Sequence, residues 1–224
     1  MATINVSRQG MGTGPASGTF STARTGAGSS ITDSVTGNQA SAVQYYFSTG
    51  RGGAHRIRRV FLYFDTSSIT STLSAGHIDM PGYSGSPDPN DTIMLKSTAF
   101  GGDGGTALSS SDFYSSIDYS TPYSTELTSY SSGNNEYTLT AAALADIKNN
   151  DHFTLAIVQH DNDYANSASG SSVADDINIA FGTTITLDYT AVSGYANDIK
   201  GIASANIEKV NGIATASISK VNGI

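Results

Sequence analysis

The stretch Arg56-Ile57-Arg58-Arg59-Val60-Phe61-Leu62-Tyr63-Phe64-Asp65 decides the fold. Successive side chains of a strand point to opposite faces, so Val60, Leu62 and Phe64 point one way while Phe61 and Tyr63 point the other. Both faces are apolar and both must be covered, which makes this a central strand of a layered β protein. Working outward, Val43-Gln44-Tyr45-Tyr46-Phe47 reads as a strand before it, and residues 75–80, 92–98, 136–139, 153–160, 177–181 and 183–190 read as strands after it. Between them lies one helical signal: Thr140 can cap Ala141-Ala142-Ala143-Leu144-Ala145-Asp146-Ile147-Lys148, with Leu144 and Ile147 on one face and Asn149-Asn150 closing the end. Residues 7–40 are rich in Gly, Ser and Thr, and Gly10-Met11-Gly12-Thr13-Gly14-Pro15 reads as loop.

Short strands between turn signals predict an all-β chain, a jelly-roll-like β-sandwich with one short helix and a C-terminal repeat tail. Its expected organisation is a Gly/Ser-rich segment over 1–40, a sandwich over 41–190 and a docking tail over 191–224. Composition agrees with this. Of 224 residues only 13% are charged, Gly numbers 24, and Tyr at 12 exceeds Phe at 8, which suits strands and polar turns. An all-β domain of about 190 residues buries roughly 70% of its unfolded surface, enough for one sizeable core.

The tail repeats itself. Ile202-Ala203-Ser204-Ala205-Asn206-Ile207-Glu208-Lys209-Val210-Asn211-Gly212 is followed by Ile213-Ala214-Thr215-Ala216-Ser217-Ile218-Ser219-Lys220-Val221-Asn222-Gly223, and Ile224 opens a third copy. A helix with this 11-residue period would carry Asn-Gly in its interior, where Gly costs about 1 kcal/mol relative to Ala. Asn-Gly is instead the strongest hairpin signal, so strands are favoured. With the turn at Asn211-Gly212, Val210 faces Ile213, Ile207 faces Ala216 and Ala205 faces Ile218. A two-stranded ribbon is marginal in water and small aliphatics do not offset its ordering entropy, so the unit needs a partner; the competing reading is a disordered linker.

Tandem units of the form I-A-x-A-x-I-x-K-V-N-G-I resemble the C-terminal tails of structural proteins of tailed bacteriophages, over residues 202–224. The resemblance implies a virion component, with Ile202, Ile207, Val210, Asn211, Gly212, Ile213, Ile218, Val221, Asn222 and Gly223 as its assembly residues. A second resemblance covers about residues 40–190. Arg59-Val60-Phe61-Leu62-Tyr63-Phe64-Asp65-Thr66-Ser67-Ser68-Ile69 is similar to the R-x-F-L-x-F-D-x-S-S-I segment of jelly-roll modules related to carbohydrate-binding modules. There Asp65 and Ser67-Ser68 would turn the chain at the strand end. Trp is absent, so any sugar stacking would fall to Tyr residues.

Charge is uneven. Residues 1–60 carry six arginines against Asp33, a net of +5, while the remainder carries five lysines against 18 acids, a net of −13. An acidic body argues against nucleic-acid binding, which draws on phosphate neutralisation. For Arg51, Arg56, Arg58 and Arg59 two readings stand: surface or structural ion pairs, or a basic segment docking on an acidic neighbour. With no Cys there is neither a disulfide nor a thiolate metal site. Met1-Ala2-Thr3-Ile4-Asn5-Val6 has no signal-peptide pattern and no run approaches 18 apolar residues, so membrane insertion is not expected and the chain is expected to be made in a host cytoplasm and released without a signal, as a virion protein is.

The best polar constellation is His160-Asp161-Asn162-Asp163-Tyr164. Asp161, Asn162 and Asp163 offer oxygens to Ca²⁺, but EF-hand spacing is missing and Asx turn chemistry is the favoured reading, so no cofactor is expected. His55, His77, His152 and His160 show no paired spacing and read as turn and surface polars; without a G-x-S-x-G elbow, no catalytic residue is expected. The function expected is a non-enzymatic virion structural protein, in capsid decoration or a head- or tail-attached fibre, whose partners are other virion subunits and its own copies in a homo-oligomer. The alternatives are a module recognising host surface polysaccharide through Tyr114, Tyr119, Tyr123 and Tyr130, or a subunit of a cellular filament.

Overall fold

The computed structural model describes residues 1–34, 41–50, 52–85, 91–179 and 184–192, and residues 209, 210, 213 and 214. In chain order the elements are β1 (Ala2–Asn5), β2 (Arg8–Thr13), α1 (Phe20–Thr25), β3 (Ser30–Ser34), β4 (Ser41–Phe47), β5 (His55–Asp65), β6 (Leu73–Gly85), β7 (Thr92–Ser97), α2 (Asp112–Ser115), β8 (Ile117–Pro122), β9 (Asn134–Thr138), α3 (Ala141–Asn149), β10 (His152–Gln159), β11 (Val173–Ile179), β12 (Thr186–Ala191), β13 (Lys209–Val210) and β14 (Ile213–Ala214). A 3₁₀ turn spans Ala99–Gly101 and a π-helical turn spans His160–Tyr164. The described strand pairings are antiparallel. They follow the order β1-β12-β6-β11-β4-β5-β10-β7-β8, with β2 also on β5, β3 beyond β2, and β9 beside β6.

This path curls into an all-β, sandwich-like fold. Ile78 and Met80 of β6, Ile177 and Ile179 of β11 and Leu187 of β12 share one buried cluster with Val60, Leu62 and Phe64 of β5, Met94 of β7 and Phe153, Leu155 and Ile157 of β10. Burying one such side chain stabilises the fold by about 1.5–3 kcal/mol. β5 is central, as its two apolar faces require: residues 60–63 pair with β2 on one side and β10 on the other. Its opposite face carries Phe61 into a second cluster with Ala156, Val158, Ile93 and Leu95, capped by Ala99, Phe100, Leu108 and Ile117 from the excursion after β7. Tyr45, Ile57 and Phe113 form a third cluster, against which Phe20 of α1 packs.

The helix stands where its cap signal puts it. Thr140 Oγ1 accepts from the Ala143 amide at 3.4 Å, and Ala143 and Ile147 enter the main core. After β5, Asp65 Oδ1 accepts from the Ser67 amide at 3.0 Å and the Ser67 hydroxyl at 2.6 Å, turning the chain at the strand end. α1 and α2 go beyond the one helix expected.

Residues 10–13 depart from their loop reading and are strand. β1 pairs with β12, and β2 lies along β5 through the Gly10-Met11-Gly12 stretch. Glycine here serves close packing: a Cβ on Gly10 would stand 2.6 Å from Leu108 Cδ2, and one on Gly12 2.8 Å from Phe113 Cδ2. The outer layer thus rests on bare backbone, so the Gly content reads as loop although the chain is strand. In the tail, β13 pairs with β14 in the register Val210↔Ile213 and Lys209↔Ala214. Ile202, Ile207, Asn211, Gly212, Ile218, Val221, Asn222 and Gly223 lie outside the described residues.

Candidate functional site

Arg59 corrects the docking segment. It is 0% exposed, on the face of β5 that carries Phe61. Its Nε and Nη2 donate to the two Asp163 carboxylate oxygens at 2.7 Å each, Nη1 to the Phe113 carbonyl, and Nη2 also to the Arg24 carbonyl at 2.9 Å. Arg24 Nε donates to the Asp163 carbonyl at 2.7 Å, and the Tyr119 hydroxyl to Asp163 Oδ1 at 3.1 Å. Phe113 stacks on the Arg59 guanidinium at 4.1 Å and Tyr119 on that of Arg24 at 4.2 Å. Burial opposes the Arg59 charge; the Asp163 carboxylate, with Tyr119 and Tyr114 beside it, offsets this and holds the pKa above its ordinary value. A charge this deep is stable only with such partners, so Arg59 fastens α1, α2 and the π turn to β5. Of the other arginines, Arg56 is exposed beside the Tyr46 ring, Arg58 is half-buried, and Arg51 lies outside the described residues.

The four tyrosines do not form a ligand face. Tyr123 and Tyr130, 2% and 6% exposed, belong to the main core. Their hydroxyls donate to Asp146 and to the Asn178 carbonyl. Tyr119 is tied to Asp163, and half-buried Tyr114 lies 5.6 Å from it, ring to ring. His55 is likewise no surface polar: it is buried, stacked on Phe47 at 4.1 Å, its Nδ1 3.0 Å from the Tyr45 hydroxyl, and burial lowers its pKa.

The π turn after β10 pulls its polar residues apart. Gln159 Oε1 accepts from the Asn162 and Asp163 amides at 2.6 and 3.3 Å, and Asn162 Nδ2 donates to the Ser167 carbonyl at 2.8 Å. Asp163 turns inward to Arg59, whereas His160 and Asp161 face another group. His160 Nδ1 is 3.1 Å from Asp161 Oδ1 and 3.2 Å from Glu126 Oε1. The backbone brings these together: Thr92 pairs with Gln159 and with Leu127, and the His160 amide donates to the Asp91 carbonyl at 2.8 Å. Asp91 is 8% exposed, and its Oδ1 has no hydrogen-bond partner. Burial, then the Asp161 and Glu126 carboxylates, raise its pKa. Asp175 of β11 accepts from Gln159 Nε2 at 2.6 Å; burial, with Asp91 and Asp161 nearby, pushes it up to about 7.

A second histidine group lies on β6. His77 Nε2 stands 3.7 Å from Asp79 Oδ2, 3.8 Å from Glu136 Oε2 and 4.0 Å from Asp188 Oδ2. The register pairs His77 with Asp188 and Asp79 with Glu136. Sequence reasoning singled out His160 and Asp161 but neither Glu126 nor Asp91, and it missed the His77 group, because the partners come from segments far apart in the chain. Among the described residues, no helix is long and apolar enough to cross a membrane. No protein-family model and no curated protein matches the chain.

Proposed function

We propose that this chain is a non-enzymatic structural subunit of a phage particle, whose sandwich is displayed while its repeat tail docks on neighbouring subunits, its own copies included. The observation that carries the reading is the 11-residue repeat, whose first Asn-Gly is flanked by a Val210↔Ile213 pair, the register of a two-residue hairpin. Such a ribbon gains its missing hydrophobic cover and edge partners by adding strands to another subunit. The body has its own layered core and does not require the tail as cover. The basic contribution to docking falls to Arg51, Arg56 and Arg58, since Arg59 is committed to Asp163.

The test deletes residues 202–224 and measures copy number on purified particles by quantitative mass spectrometry, with cryo-EM to separate capsid decoration from a fibre. Loss of incorporation by a folded truncated chain is expected. Wild-type occupancy without the tail overturns the docking role.

A further inference from the structure

We propose that Glu126, His160 and Asp161, with the buried Asp91 carboxyl beside them, form a binding site for one divalent transition-metal cation, of the Zn²⁺ or Mn²⁺ kind, where β7 begins and β10 ends. This goes beyond the assembly reading and does not rest on it.

Three observations carry it. The ligand atoms of Glu126, His160 and Asp161 lie within 4.8 Å of one another. The 3.1 and 3.2 Å separations from His160 Nδ1 approach the roughly 3.3–3.6 Å edges of a tetrahedron with bonds of about 2.0–2.2 Å. Independently, Asp91 is more than nine-tenths buried, its Oδ1 has no hydrogen-bond partner, and its carboxyl lies beside that of Asp161 and within reach of the Glu126 charge. A buried carboxylate oxygen without a donor is costly, and a cation at that point satisfies it. Finally, the ion pairs of Glu126 and Asp161 among the described residues reach His160 and neither lysine nor arginine. One imidazole cannot balance three carboxylates with Asp175 behind them, and a dication can.

The donor set selects the ion. One imidazole nitrogen with two carboxylates, and a third close by, suits Zn²⁺ or Mn²⁺, whereas Ca²⁺ takes six to eight oxygens. Gln159 supplies the supporting shell, holding the π turn through Oε1 and Asp175 through Nε2. A bound ion would tie three chain segments, at Asp91, Glu126 and the π turn, into one.

The test uses the full chain, stripped with a chelator and titrated calorimetrically with Zn²⁺ and Mn²⁺, with Ca²⁺ and Mg²⁺ alongside. One equivalent of Zn²⁺ or Mn²⁺ is expected to bind. It should raise Tm by about 5–10 °C at roughly one hundred times Kd. Glu126→Gln and Asp161→Asn, at partly exposed positions, should each weaken binding at least about tenfold; His77→Gln should leave it unchanged. Absence of binding, binding that survives Glu126→Gln and Asp161→Asn, binding lost with His77→Gln, or a preference for Ca²⁺ overturns the assignment.

Discussion

Arg59 and Asp163 are both fully buried and joined through two parallel hydrogen bonds. Removing one partner leaves the other's charge in the interior, a change that costs about 3–5 kcal/mol. Asp163→Asn should therefore lower stability by that amount in urea unfolding, and Arg59→Met with Asp163→Leu should recover most of it. An Asp163→Asn loss below about 1 kcal/mol would mean that water reaches the pair. Asp175 carries the opposite liability. Its folded pKa of about 7 stands above the unfolded value. Below about pH 4 folded and unfolded chains are equally protonated. Between there and pH 7 only the unfolded chain gives up its proton, so stability falls as pH rises and levels off above 7. In chelator-treated protein, Asp175→Asn should stabilise the fold by about 1–3 kcal/mol at pH 8, with the gain vanishing towards pH 4. A pH-independent difference would show that Asp175 does not titrate in that window.

At the scale of elements, the fold depends on how closely its outer layer lies on β2 and β5. A Cβ on Gly14, just past β2, would stand 2.5 Å from the Ala23 carbonyl oxygen and 2.8 Å from the Phe113 ring. Backbone cannot swing aside as a side chain can, so Gly14→Ala should cost about 1–3 kcal/mol, the range for overpacking. Gly170 has no atom within 4 Å of the same position, and Gly170→Ala should be neutral or gain up to about 1 kcal/mol by stiffening the unfolded chain. Thermal melts of the two variants check this; equal effects would remove the packing explanation for the glycines. α3 differs in that its cap is local, the Thr140 hydroxyl accepting from the Ala143 amide, while the same hydroxyl donates to the Pro122 carbonyl at 2.9 Å and ties the helix start to the end of β8.

At the scale of the whole molecule, body and tail have separate tasks in the proposed assembly. The sandwich closes its own apolar clusters, so deleting residues 202–224 should shift its unfolding free energy by less than about 1 kcal/mol and leave the denaturant slope nearly unchanged, because the slope follows the surface exposed on unfolding. Denaturation curves of full-length and truncated chains decide this. A marked loss would make the tail part of the fold, and the assembly test would then measure misfolding.

What the sequence determined by itself is whatever a few neighbouring residues encode. Alternation in residues 60–64 marked a strand with two apolar faces, and it is central; Thr140 marked a helix start; Val210 and Ile213 flanking Asn-Gly marked a pairing. Each signal works through spacing along the chain, so no distant partner is needed to read it. The tertiary structure alone decided that Arg59 faces inward while Arg56 stays exposed, that Tyr123 and Tyr130 are core, and that the glycines of 10–14 are packing surfaces. It also brought Asp91 and Glu126 to His160. These outcomes hang on contacts between segments tens of residues apart, whose energies act only once strand order and register have placed them side by side.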